Sequence, residues 1–164
     1  MKQHILMSLF ILGMLCAPSS SSPSGSQYKV AALIKTYYKQ QVSDLNHGNI
    51  AGFLSYCSSD YQDTGSQDEY LNLVSTAYYI KTIMNLAHHS HFNYQIVRLE
   101  MHGDNALAVC EGTMSAMLRK SGGELVKWKT SGIVLEKWKL TNAGWRKQLT
   151  RSISAQSTVN GKPV

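Results

Sequence analysis

Cysteine is scarce in this chain, three residues in 164, and acidic residues are few, ten Asp and Glu against 16 Lys and Arg. So few cysteines exclude a disulfide-dense scaffold and a four-cysteine zinc site. No apolar run reaches the roughly 20 residues needed to cross a bilayer. Also missing are a glycine-rich phosphate loop, a nucleophile elbow, a Ser-His-Asp order and the sequence context of a catalytic cysteine. No internal repeat is present. Nothing in the sequence calls for a cofactor. A chain this long suits one domain with a proper core.

The positive charge is uneven. Residues 28–100 carry a net charge of −1, and residues 101–164 carry +6. Such an imbalance attracts acidic partners over long range without specifying them. It brings none of the motifs of a nucleic-acid-binding module, so no nucleic-acid partner is expected.

The N-terminus follows the pattern of a secretory leader. Lys2 supplies the positive start, Ile5 to Leu15 is a short apolar run, and small polar residues follow. We expect a signal peptide over residues 1–19, cut after Ser19 or nearby, and a secreted or periplasmic protein with no integral span in its mature chain. The alternative is lipidation at Cys16, although Leu15 and Gly13 match such sites poorly. Loss of the leader leaves Cys57 and Cys110. In an exported protein they are candidates to pair; the alternative is two separately buried thiols.

A flexible Ser/Pro/Gly linker is expected over residues 20–27. Helical spacing then brings Val30, Leu33, Ile34, Tyr37, Tyr38, Gln41 and Leu45 together, up to a left-handed cap at Gly48. Asn49 caps a short second helix. The polar stretch from Cys57 to Gln67 reads as turns. A third helix is predicted from Ser66 or Gln67 to about Leu86 or His89, with His88, His89 and His91 at its end. From His91 the period changes to two, and four strands follow in an antiparallel meander, ending near Ser154. Residues 156–164 lack pattern and are expected to form a loose tail. The fold class is therefore α+β, with three N-terminal helices packed on a curved four-stranded sheet.

This layout resembles the nuclear transport factor 2-like, or SnoaL-like, superfamily of α+β cone proteins. Three segments carry the resemblance: IKTYYKQQVSDLNHGNIAGFLSY, the link CSSDYQDTGS, and the ending IVLEKWKLTNAGWRKQLTRSIS. It covers residues 28–155 and implies a pocket between the concave sheet and the helices. In relatives that pocket holds a small ligand, performs dehydration or isomerisation, or is packed shut. Many relatives dimerise through the other face of the sheet.

Acid–base chemistry in such a pocket needs a carboxylate or His with its pKa moved by burial. Asp60, Asp63, Glu111 and Glu136 are the carboxylate candidates, and Asp63, beside Tyr61, is the best placed. Tyr37, Tyr61, Tyr78, Trp128 and Glu136 are the other expected pocket residues. The histidines do not have the spacing of a metal site, and no metal is expected. Period two places Lys127, Lys129, Ile133, Leu135, Lys137 and Lys139 on one sheet face, opposite Trp128 and Glu136. That face reads as a homodimer interface, a docking surface for an acidic partner, or a solvated exterior. On the last strand Trp145, Lys147, Leu149, Arg151 and Ile153 alternate on one side. Either a bulge changes the register there, or Lys147 and Arg151 reach the pocket mouth and favour an anionic ligand. The function expected is binding of a small apolar or anionic ligand, or of a protein. The alternative is a dehydratase or isomerase.

Overall fold

The computed structural model describes residues 25–65, 70–120 and 122–164. The leader, Cys16 and most of the 20–27 linker lie outside the described residues. So do residues 66–69, where the third helix was expected to start.

Three helices lie on one large sheet. Helix α1 is Gly25–Asn46 and α2 is Ile50–Leu54; strand β1, Cys57–Thr64, pairs with the short β2, Tyr70–Asn72. Helix α3 is Leu73–Leu86, and the long strands β3 (Ala87–His102), β4 (Asn105–Arg119), β5 (Leu125–Thr141) and β6 (Gly144–Val159) follow, with a final β7 at Lys162–Pro163. The sheet order is β2-β1-β6-β5-β4-β3, with β7 on the far end of β6. The β3–β6 meander is antiparallel, but β1 joins β6 in parallel, so the sheet is mixed.

Local chemistry explains the expected turns. Gly48 ends α1 at φ +71°, and the Asn49 side chain accepts from Gly52 N to start α2. Asn72 does the same for α3 through Ser75 N. Ile34 and Tyr38 of α1 pack on Ala106, Ala108, Cys110, Trp138 and Trp145. The small side chains of β4 let the helix approach closely. Ile34 and Trp138 are fully buried, each contributing about 2–3 kcal/mol. Asn46 ties the end of α1 to β3 by bonding both backbone groups of Phe92.

Several expectations need correction. Among the described residues the sheet has seven strands, not four: the polar segment after Cys57 forms β1, with Cys57, Tyr61 and Thr64 buried, Tyr70–Asn72 forms β2, and Lys162–Pro163 forms β7. Helix α3 ends at Leu86, the earlier of its two expected limits, but it starts only at Leu73, and His88 and His89 belong to β3 and not to a helix end, with His88 and His91 paired to β4 and His89 in the bulge between them. Residues 156–164 are not a loose tail. They continue β6 and form β7, held by Asn160 through bonds in both directions with the Lys127 backbone. Cys57 and Cys110 are buried free thiols. Strands β6 and β5 lie between them, which at about 4.8 Å per strand separates their strands by roughly 14 Å, beyond disulfide reach. Burial pushes the thiols up to about 11 and about 12 respectively.

Gly132 sits where β5 and β6 press together. A Cβ there would lie 2.4 Å from the carbonyl oxygen of Ser154. Gly132→Ala should therefore cost about 1–3 kcal/mol, read as a lower urea midpoint at unchanged slope.

Candidate ligand cavity and its buried ion pair

Between α1, α3 and the inner face of the sheet lies a cavity of about 320 Å³. Leu45, Phe53, Ile80, Phe92 and Val134 form much of its apolar wall, and Asp63, Glu136 and Lys147 bring charge to it.

Glu136 and Lys147 arrive from adjacent strands. Glu136 follows the period of β5 inward. Lys147 turns in because the register of β6 shifts between Trp138↔Lys147 and Lys137↔Leu149. The odd alternation on the last strand is thus split by a bulge: Lys147 goes to the cavity, and Arg151 stays outside and exposed. Glu136 is 2% exposed and Lys147 3%. The Lys147 ammonium donates to Glu136 Oε1 at 2.8 Å and to Gln41 Oε1 at 3.2 Å.

The Glu136 carboxylate accepts further bonds from the hydroxyls of Tyr38, of Tyr94 at 2.8 Å and of Thr150 at 3.4 Å. Trp138 Nε1 donates to the Tyr38 oxygen at 2.9 Å, and Gln41 is held by the carbonyl of Phe53. Lys147 Nζ also lies 5.2 Å from the Tyr38 ring centroid and 5.4 Å from that of Trp138. Burial, then the charge of Glu136, raises both tyrosine hydroxyls far above their ordinary value, which keeps them protonated as donors. The carboxylate is saturated, and its role is to fix the ammonium. Two of the three Lys147 protons have hydrogen-bond partners among the described residues.

Asp63 is different. It lies on β1 opposite Leu71 of β2 and Thr150 of β6, on the cavity wall. Among the described residues no hydrogen bond holds its carboxylate. Burial pushes its pKa up to about 6, against the nearby Lys147 charge, which lowers it; Glu136 raises it further. A carboxyl poised there can accept or return a proton near neutrality. Tyr61 is fixed beside it through its hydroxyl, which donates to Thr150 Oγ1 at 2.9 Å. Thr76, on α3, is 2% exposed and lines the same cavity, and its hydroxyl has no partner among the described residues.

The cavity thus joins Asp63, Tyr61 and Glu136. It does not include Tyr37, Tyr78 or Trp128. Tyr37 packs on Tyr56 and Trp138 behind it. Tyr78 is 75% exposed: it stands two positions along the helix from both Thr76 and Ile80, the cavity-facing positions of α3, which turns it about 200° away. Trp128 is half-buried near the far end of β5, between Ala116 and Val159. Of the other carboxylates, Asp60 is exposed and bonds Gln148, and Glu111 is exposed and accepts from Gln95. Among the described residues no group of three His, Cys, Asp or Glu converges to hold a metal, and no helix is long and apolar enough to cross a membrane.

Sequence reasoning missed the parts of the network that depend on pairing. Gln41 lay in the helical stripe as one polar residue among apolar ones. Tyr38 and Tyr94 stood among many aromatics. Thr76 gave no signal.

Helices packed on a mixed, open sheet, with a cavity between, make this an α+β protein compatible with a cone fold. Solved structures agree. The fold is shared with a conserved protein from Planctomyces limnophilus (TM-score 0.66, 10% identity, covering 76% of this chain and 94% of that one). It is shared with a hexachlorocyclohexane dehydrochlorinase from Novosphingobium barchaimii (0.64, 12%, 84% and 92%). A protein from Streptomyces avermitilis assigned as a dehydratase of the nuclear transport factor 2-like family also matches (0.59, 15%, 84% and 97%). The chain therefore has the nuclear transport factor 2-like fold. No family model matches the sequence, and no curated protein does.

Proposed function

We propose that the protein binds a small, largely apolar molecule in this cavity. The observation that carries the reading is an open cavity of about 320 Å³ whose wall holds one carboxylate, Asp63, without a hydrogen-bond partner among the described residues. That volume lies at the small end of small-molecule sites. The leader-like sequence supports export of the mature chain, and the N-terminal sequence of the mature protein from its own host tests it.

A second reading is favoured by the position of Asp63 on the pH scale. A base near neutrality opposite a fixed ammonium suits removal of a proton from carbon, with the Lys147 ammonium stabilising the negative charge that develops. That is dehydratase or isomerase chemistry. Two of the structural neighbours are named for eliminations, of hydrogen chloride and of water; they contribute a shared scaffold only.

Native mass spectrometry of protein from its own host tests both. Wild type should carry a small-molecule adduct, and Val134→Trp, which fills the cavity from its β5 wall, should not. The extracted molecule returned to wild type should remain unchanged for a binder and change for an enzyme. Empty wild-type protein, with no extract component that raises its melting temperature, would end both readings.

A further inference from the structure

The outer face of the sheet carries more charge than the lysine ladder of β5 alone. Cross-strand pairs point to the same side, so the rows can be read from the register. Leu135 stands between Val109 and Arg151, with Arg98 beyond Val109. Lys137 stands between Leu107 and Leu149, Lys129 between Ser115 and Thr158, and Lys127 beside Met117. Arg119 and Lys139 close the two ends. Seven Lys and Arg on this face are exposed: Arg98, Arg119, Lys127, Lys129, Lys137, Lys139 and Arg151. Against them stand Glu111, Glu100, which is paired to Arg98, and Asp60 at the β1 edge near Lys139.

We infer that this face docks a protein partner with an acidic surface, and not a second copy of this chain. Stacking two such faces would set like charges together at both ends of the interface, at a cost that desolvation increases. The cations also have a particular arrangement. One group, Arg119, Lys127 and Lys129, lies at one end of the strands. The other, Arg98, Lys137, Lys139 and Arg151, lies at the opposite end, about 27 Å away at the rise of a strand. Half-buried Val109 and Leu135 lie in the row of Arg98 and Arg151, and between the two cationic groups the paired rows hold Glu111, Ile133 and Ser154, then Thr113, Ser131 and Gln156. Aliphatic and hydrogen-bonding side chains flanked by Lys and Arg suit a protein surface that carries carboxylates at the same spacing.

A bilayer fits less well. Strands twist by about 20° from one to the next, so the two groups do not share a plane. The paired outer rows of β3 to β6 hold no Trp, Tyr or Phe, the residues that enter a lipid interface or stack on single-stranded nucleic acid.

The test measures binding of a fluorescein-labelled peptide alternating Glu and Leu, by anisotropy at low salt. In parallel it uses phosphatidylglycerol vesicles, a DNA duplex, and sedimentation of the protein alone. The double variant Lys129→Glu, Lys137→Glu should weaken peptide binding by about tenfold or more. The control Lys29→Glu, Lys35→Glu on α1 removes the same charge and should change it by less than about twofold. All four positions are exposed, so folding should survive, which an unfolding curve checks. Equal loss in both variants would overturn the inference, because net charge alone would then explain binding. Tighter binding to vesicles or duplex than to peptide would also overturn it, as would a dimer that Leu135→Asp dissociates.

Discussion

Replacing Lys147 by Met should lower stability by about 3–5 kcal/mol, the usual cost of stranding a buried charge. Glu136 is 2% exposed, and Lys147 is its one close cation among the described residues. Without it the carboxylate keeps the hydroxyls of Tyr38, Tyr94 and Thr150, and these neutral donors do not supply a countercharge. Adding Glu136→Gln to Lys147→Met should restore stability to within about 2 kcal/mol of wild type, because a neutral pair of similar size no longer leaves an ion in the core. Urea unfolding of both single variants and the double variant closes the cycle. Additive losses, with the double variant the least stable of the three, would mean that the side chains matter for packing and not as an ion pair.

Asp63→Asn should act in the opposite direction on stability. The native carboxyl has a pKa of about 6, and the ordinary value is 3.8. A raised acid favours the folded state in its protonated form. That contribution is complete below about pH 4, declines as the unfolded chain ionises first, and is gone above about pH 6. Asn does not ionise. The variant should therefore match wild type near pH 4 and exceed it by about 1–2 kcal/mol at pH 7, less than the full shift would give because Asp63 keeps some solvent contact. Melting temperature against pH measures this. The same variant should lose any turnover of the bound molecule while still binding it, and wild-type turnover should rise through about pH 6. A stabilised but inactive variant would mark Asp63 as a residue kept at the expense of stability. An unchanged pH profile of stability would show that the carboxyl is not desolvated.

Parts of the site were legible in the chain because they depend on period. Glu136 was visible as a charge on the apolar side of an alternating strand, and Asp63 as an acid beside Tyr61 in a polar link. The ladder of Lys127, Lys129, Lys137 and Lys139 followed from the same alternation. Lys147 stood out as a cation in an apolar row, but its direction depended on a one-residue bulge, which composition does not encode. Tyr78 was assigned to the cavity because a broad helical stripe does not reveal which of its edges faces inward.

By itself, the sequence determined the local features: where helices stop, where the period changes from 3.6 to two, and, away from bulges, on which side of a strand a residue stands. Those depend on neighbours a few positions away. Tertiary structure alone decided that β1 pairs in parallel with β6, that Cys57 and Cys110 lie three strands apart, and that Glu136, Lys147, Tyr38 and Tyr94 meet at one point. Those are contacts between residues 11 to 98 positions apart, set by how helices and sheet close over a shared core, and no short window of the chain contains them.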